Sequence, residues 1–476
     1  MESELLVGRK KEIKQLKQLF DSREAELVAV YGRRRIGKTF LIREVMREHI
    51  CFELVGENKG SLKVQLSNFC TELLRLRSPL GVVPPRNWTE AFFILSTYLE
   101  EKLATGKKVV FFDEFPWLDS PKSGFLSAFD HWWNSWANKQ KGLIVIICGS
   151  AAAWMIQNVI KNNGGLYNRV TQNIQLAPFT LFETASYLAS RNIHWNHRQI
   201  VEMYMALGGV PAYLKLINKG ESVAQAIDRL CFDPSGHLAN EFDLLYASLF
   251  NNATLYIDVI KLLSKKNKGF TRKQIIDRLK LNSGGGLTTV LRDLEASSFI
   301  GITQQYGGHG QNKYYKLVDE FSLFYLKFMA TSQHKTKDSW LMLSGKPAWM
   351  SWSGQAFERI CRKHISKINE ALGLKVIHTH CNSWSSAAAD TDGAQIDLLI
   401  DRADGIINLC ELKFSNSKFT IDKKYAEELR YKREVFKQVS KAKKQVSIVM
   451  LTTYGVTHND YYLELVENEL TVDDLF

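Results

Sequence analysis

The sequence predicts a multidomain α/β protein, and three observations carry that prediction. At 476 residues the chain is too long for one ordinary domain. Within the first 180 residues, "ELVAVYG", "HICFELVGEN", "KKVVFFDE" and "LIVIICGS" alternate with amphipathic stretches, the pattern of a parallel sheet covered by helices. A second α/β pattern begins near residue 350 with a long amphipathic helix and ends in strands. The texture between them divides the chain into a core at 1–180, a helical segment at 181–250 interrupted at "GGVP", a helix-and-hairpin unit at 251–320, a linker at 321–349 and a final α/β unit at 350–476.

Composition narrows the class. Apolar residues make up 45% and aromatics 11%, enough for packed cores and against general disorder. No apolar run reaches the ~20 residues that span a bilayer, and the first residues do not begin a signal peptide, so no membrane partner is expected. Seven scattered cysteines without zinc spacing suit a reduced, cytoplasmic compartment. The formal net charge of +12 is concentrated after about residue 260 and favours nucleic acid, DNA first, as partner. Self-association into a homo-oligomer stays open.

The core carries a phosphate-binding pattern. "ELVAVYGRRRIGKTFLIREVMRE" is a strand, then Gly32-x-x-x-x-Gly37-Lys38-Thr39, then an amphipathic helix. The two glycines permit a tight loop whose backbone N–H groups surround phosphates, and the helix N-terminus adds positive potential. Lys38 is expected to reach the β/γ-phosphates of ATP and Thr39 to hold Mg²⁺. Of Arg33, Arg34 and Arg35, two are expected to be solvated. "KKVVFFDEFPWLD" ends a buried strand in Asp113, for the Mg²⁺ shell, and Glu114, for the attacking water. Ser150, ending the strand "LIVIICGS", is either a γ-phosphate sensor or a turn serine.

In order, "LLVGRKKEIKQL", "GRRRIGKT", "FFDEFPWL", "CGS", "LYNRVTQNIQLAPF" and "LGGVPAYL" resemble the archaeal-type, STAND/AAA-like P-loop ATPases across roughly residues 5–250. The resemblance implies a P-loop sheet with a helical lid. It puts Val7-Gly8-Arg9 at the adenine pocket and makes Gly209-Val210-Pro211 the Gly-x-Pro of the lid. It also makes Arg169 a basic residue able to reach a phosphate, in its own subunit or a neighbour's.

Residues 251–320 read as helix-turn-helix with a wing. Ile275, Ile276 and Leu279, then Leu287, Val290, Leu291 and Leu294, recur at helical spacing. A hairpin is expected around Gly307, Gly308 and Gly310. Lys265, Lys266, Lys268, Arg272 and Lys273 suit phosphate contacts, whereas only Thr288, Thr289 and Arg292 offer themselves as base readers. Docking to protein is the other use of such a unit.

In the tail, "AQIDLLIDRADGIINLCELKFS" reads as a hairpin closed by Ala403-Asp404-Gly405. Its pairing sets Asp397 opposite Glu411, with Lys413 on the same face. Facing carboxylates suit Mg²⁺ or Mn²⁺, and a lysine beside them can orient water. An edge hairpin with an exposed ion-pair ladder is the structural alternative. The Asp…Glu-x-Lys pattern resembles the PD-(D/E)XK nucleases over about 350–476, with Ile396 where proline often stands. That resemblance implies a restriction-endonuclease-like domain and makes Glu358 the acid on the helix before the core. Lys432 and Arg433 could hold a scissile phosphate or face solvent. The expected function is ATP-regulated action on DNA with metal-dependent phosphodiester cleavage. The rival is a nucleotide-controlled switch whose tail binds nucleic acid or protein without cleaving.

Overall fold

The computed structural model describes residues 6–76, 84–161, 166, 168–250, 252–282, 285–303, 306, 313–330, 339–386 and 393–476. The chain divides into two compact units, Met1–Pro178 with Arg292–Ser298, and Phe179–Leu291 with Phe299–Phe476.

The first unit is built on strands β1 (Glu26–Tyr31), β2 (Ile50–Val55), β3 (Lys108–Asp113), β4 (Leu143–Gly149) and β5 (Gln172–Gln175), in the order β2-β3-β4-β1-β5. All neighbouring pairs are parallel. Because side chains alternate across a strand, the apolar runs bury both faces. Leu27, Ala29, Val110 and Phe112 enter one core, with Phe92 and Trp132 stacked at 5.1 Å. Val28, Val30, Val109 and Phe111 enter the other. Parallel strands end at the same sheet edge, so the residues after β1, β3 and β4 gather there.

The second unit begins with helices Leu181–Ser190 and His197–Leu207, each opened by a capping box. A three-stranded sheet follows, β6 (Phe270–Thr271), β7 (Ile300–Thr303) and β8 (Tyr314–Leu317), in the order β6-β8-β7. Its pairs are antiparallel, and helices Arg272–Leu279 and Gly285–Ala296 lie between β6 and β7 in sequence. Leu287, Val290, Leu291 and Leu294 are buried, while Thr288, Thr289 and Arg292 are exposed. The hairpin glycines Gly307, Gly308 and Gly310 lie outside the described residues.

Residues 321–349, expected as a linker, are corrected by the structure. Helix Glu320–Phe324 is buried throughout. Phe324, Phe328, Trp340, Trp349 and Trp352 pack as one aromatic cluster, with Trp340 fully buried. "FSLFYLKFM" carries aromatics at helical spacing and would expose too much apolar surface as a free linker. Residues 331–338 are not among those described.

The last sheet contains β9 (Thr379–Ser385), β10 (Gln395–Arg402), β11 (Ile406–Lys413), β12 (Gln445–Thr452) and β13 (Asn468–Thr471), in the order β13-β12-β11-β10-β9. β9, β10 and β11 form an antiparallel meander, and β12 and β13 add in parallel after helix Lys423–Ser440. Helix Pro347–Lys363 precedes the sheet.

One contact ties the start of this unit to the end of helix Pro347–Lys363. The N–H of Leu181, the first residue of its helix, donates to Nε2 of His364 at 3.0 Å, and Nδ1 of His364 meets the Ile360 carbonyl at 2.8 Å. Accepting at Nε2 while donating from Nδ1 requires the neutral ring. Burial, aided by Lys363 and Lys367, lowers the His364 pKa to about 4 from 6.5. A folded pKa below the unfolded one gives stability that is present above 6.5 and lost as pH falls toward 4. Urea unfolding should therefore show a loss on the order of 3 kcal/mol across that window. His364→Gln should flatten the dependence; an unchanged pH profile in the variant would assign it elsewhere.

Candidate functional site

Two constellations hold the candidate residues. In the first unit, the loop after β1 turns sharply at Gly32, where an added Cβ would lie 2.3 Å from the Leu176 carbonyl oxygen. Gly37, at φ +86°, takes the left-handed conformation that starts helix Lys38–Met46. Lys38, buried at 6% exposure, donates from Nζ to the carbonyls of Gly32 and Arg33, both at 3.0 Å. Its ammonium thus lies against the loop that would receive phosphates. The Thr39 hydroxyl donates to Asp113 Oδ2 at 2.7 Å, joining the loop to the end of β3.

Glu114 is held in an unusual backbone state, φ 47° and ψ 45°, a left-handed conformation that costs a non-glycine residue energy. Its N–H donates to Asp113 Oδ1 at 2.9 Å. Its carboxylate accepts from the Ser150 N–H at 3.1 Å and the Ser150 hydroxyl at 2.8 Å. Ser150 is therefore the partner of Glu114, a link that sequence reasoning missed because it joins residues 36 apart. Arg9 is buried and donates to the Ile36 carbonyl at 3.3 Å, which brings it to the loop. Of the three loop arginines only Arg35 is exposed. Arg33 is buried, and Arg34 lies 5.3 Å from the centre of the Trp117 ring, so the expectation of two solvated arginines is corrected. Arg169 is exposed ahead of β5. Pro211 opens helix Pro211–Leu214 in the second unit, after Gly209, whose carbonyl accepts from the Phe179 N–H at 2.6 Å.

The family comparison bears on the class of this constellation. Residues 6–217 match the family described as an ATPase domain predominantly from Archaea. This segment is similar to an archaeal-type ATPase domain. An uncharacterized protein of Methanocaldococcus jannaschii is 24% identical over 403 residues, covering 83% of this chain and 84% of the relative. Among solved structures, a Walker-type ATPase of Pyrococcus abyssi is 19% identical, with a TM-score of 0.49 over 67% of this chain and 96% of that one. The ORC2 protein of Aeropyrum pernix is 13% identical, with a TM-score of 0.41 over 68% of this chain and 93% of that one. Among the described residues no helix is long and apolar enough to cross a membrane.

The second constellation lies on β10 and β11. Their register runs from Leu398↔Cys410 to Asp401↔Ile407, and one step further it sets Asp397 opposite Glu411. The β9–β10 pairing shifts between Ile396 and Leu399, which puts Asp397 at an irregularity of the kind that re-aims a side chain. Glu411 is 3% exposed. Its carboxylate accepts from Tyr425 at 2.9 Å and from Lys432 Nζ at 3.0 and 3.2 Å. Lys413 Nζ stands 4.0 Å from the same carboxylate, and 4.8 Å from the centre of the Tyr425 ring. Asp397 accepts from the Gln395 amide at 3.1 Å, and Arg362 donates to its backbone carbonyl.

Glu358 reports on the crowding of acids. Burial, then the charges of Asp397 and Glu411, push its carboxyl up to about 7 against Arg362 and Arg359. Burial works against the Lys432 charge, but Glu411 and Glu428 outweigh it and hold the lysine above its ordinary range. The acids offer oxygen donors only, the set that suits Mg²⁺ or Mn²⁺. Among the described residues, however, no three His, Cys, Asp or Glu side chains gather closely enough to form a ready metal cage. Lys432 and Tyr425 occupy the Glu411 carboxylate instead, partners that sequence spacing alone did not assign.

Proposed function

We propose that the ATPase domain binds and hydrolyses ATP through Lys38, Thr39, Asp113 and Glu114, and that the C-terminal sheet acts on DNA by metal-dependent phosphodiester cleavage. The observation that carries the first half is the convergence of Lys38, the Thr39–Asp113 pair and the Ser150-held Glu114 at one sheet edge. Thr39 and Asp113 supply the hard oxygens that would hold Mg²⁺ beside the phosphates. Glu114 would orient and deprotonate the attacking water, with Ser150 fixing its carboxylate. Arg9 and Pro211 are assigned to the nucleotide pocket and its lid, and Arg169 to a phosphate. Ser150→Ala should leave ATP bound and slow turnover by up to ~10-fold, the worth of one hydrogen bond. A loss as large as that of Glu114→Gln would make Ser150 a reacting group itself.

For the second half, support comes from the helix, the antiparallel meander and the parallel strand that follows a helix, which together resemble the PD-(D/E)XK arrangement. Asp397, Glu411 and Glu358 would hold Mg²⁺ or Mn²⁺, which when bound supplies an activated water and neutralises phosphate charge. Lys413, beside Glu411, would orient that water and steady developing negative charge. The helix-turn-helix with its hairpin is read as a winged helix that adds phosphate contacts. The test is incubation of the full chain with DNA and RNA substrates, Mg²⁺ or Mn²⁺, with and without ATP. One observation favours a second reading, a nucleotide-controlled switch that binds without cleaving: Lys432 and Tyr425 already satisfy Glu411. No cleavage under any of these conditions, with ATP hydrolysis intact, would decide for the switch.

A further inference from the structure

A cleft of about 290 Å³ in the second unit has its walls in two different modules. One wall is the Lys266–Lys268 turn before β6 together with Lys316 of β8. The other is a face of helix Pro347–Lys363, with Glu358, Arg359 and Arg362 at helical spacing, and Ser383–Ser385 of β9. Apolar Leu263, Leu317, Leu323 and Trp384 line the rest.

Six cationic side chains line this cleft against one acid, Glu358. Three of the six have local compensation: Lys363 pairs with Glu320 at 2.5 Å, Arg359 feels Glu320 and Glu358, and Arg362 feels Glu358 and Asp397. Lys268 has no acid partner there: it donates to the Ser385 hydroxyl at 3.0 Å, which bridges the walls, and stands 5.8 Å from the centre of the Tyr314 ring. Lys316 is half-buried, and its ammonium makes no hydrogen bond or ion pair among the described residues. Burial, then Arg362 and Lys268, outweigh Glu358 and hold its ammonium down at about 8. Cations collected out of water in excess of their acids repel one another, and an anion entering the cleft relieves that repulsion. Gln395 lines the same cleft and holds the Asp397 carboxylate at 3.1 Å, so an anion seated there is next to the acids.

We propose that this cleft binds a phosphate of a single-stranded nucleic acid, so that β8 and the 266–268 turn form one wall of the path to Asp397 and Glu411. The inference rests on reading the C-terminal sheet as the part that acts on nucleic acid. It changes the role of the helix-turn-helix unit, whose hairpin strand would serve the neighbouring site. A cavity of this volume is at the lower end for small-ligand pockets and takes about one nucleotide, whereas a duplex needs an open surface.

The test uses the full chain carrying Lys38→Ala, to remove phosphate binding at the P-loop, in EDTA so that nothing is cut. Fluorescence anisotropy with a short labelled single-stranded DNA should show Lys268→Gln/Lys316→Gln weakening binding by roughly 10-fold or more. The salt slope should fall by roughly 0.7 for each phosphate that is no longer neutralised. Lys10→Gln/Lys11→Gln, the same change of net charge on exposed residues elsewhere, should have little effect. Lys316→Arg, which keeps the charge, should retain binding, and equal melting temperatures would separate site from fold. Equal losses in the two double variants would overturn the proposal, as would unchanged binding in Lys268→Gln/Lys316→Gln. AMP binding as tightly as the oligonucleotide would overturn assignment to a strand. Because cleavage is measured separately with Mg²⁺, a chain that binds through this cleft but never cuts would fail the cleavage reading alone.

Discussion

Glu114→Gln is expected to bind ATP and hydrolyse it ~10²–10⁴-fold more slowly, the usual cost of losing a general base. Lys38→Ala is expected to fail earlier, at nucleotide binding. The two differ because Lys38 contributes charge where phosphates would sit, whereas Glu114 contributes only once a water is to be deprotonated. The amide of glutamine keeps the size of the side chain and an oxygen that can still accept from Ser150, so the backbone state at φ 47° should survive. A nucleotide-binding titration beside a phosphate-release assay separates the outcomes. Normal turnover by Glu114→Gln would transfer the water to another residue.

Removing either acid of the C-terminal pair should abolish cleavage while ATP hydrolysis continues. Asp397→Asn and Glu411→Gln preserve shape but weaken a divalent cation's hold, and Lys413→Ala should spare metal binding while slowing the cut. Glu411→Gln has a second consequence. Lys432 would lose a buried anionic partner but keep Glu428 at 2.9 Å, so the cost should fall below the ~3–5 kcal/mol of a pair broken to leave one charge alone. Melting curves must therefore accompany the nuclease assay. Lys432→Gln divides the readings: if its bond to Glu411 closes the site, releasing that bond should raise metal affinity, measured by calorimetry. Metal affinity unchanged by both Glu411→Gln and Asp397→Asn would remove these acids from the ligand set.

Legibility in the sequence followed the range of the interactions. Strands β1, β3 and β4 are visible because Leu27–Val30, Val109–Phe112 and Leu143–Cys148 are apolar on both faces. β5, "QNIQ", escaped as a strand because it has a single buried residue, Ile174. The antiparallel register from Leu398↔Cys410 to Asp401↔Ile407 could be counted back from a three-residue turn, a local constraint. Lys432 on Glu411 could not, because it depends on how helix Lys423–Ser440 crosses the sheet 21 residues later. The supposed linker failed for a similar reason. Its glycine, proline and serines drew attention at one end, while Phe321, Phe324 and Phe328 at the other end were already at core spacing.

The His364 contact bears on the modularity of this chain. A fragment ending before residue 350, drawn to isolate the first unit with the helices that follow it, would leave the Leu181 N–H without its imidazole acceptor. It would also strip the Phe476 ring from His197, against which it stacks at 3.8 Å. The tail is thus not a cassette that can be exchanged without cost. An exchange at this boundary would have to supply a new cap and a new aromatic cover for the same helices.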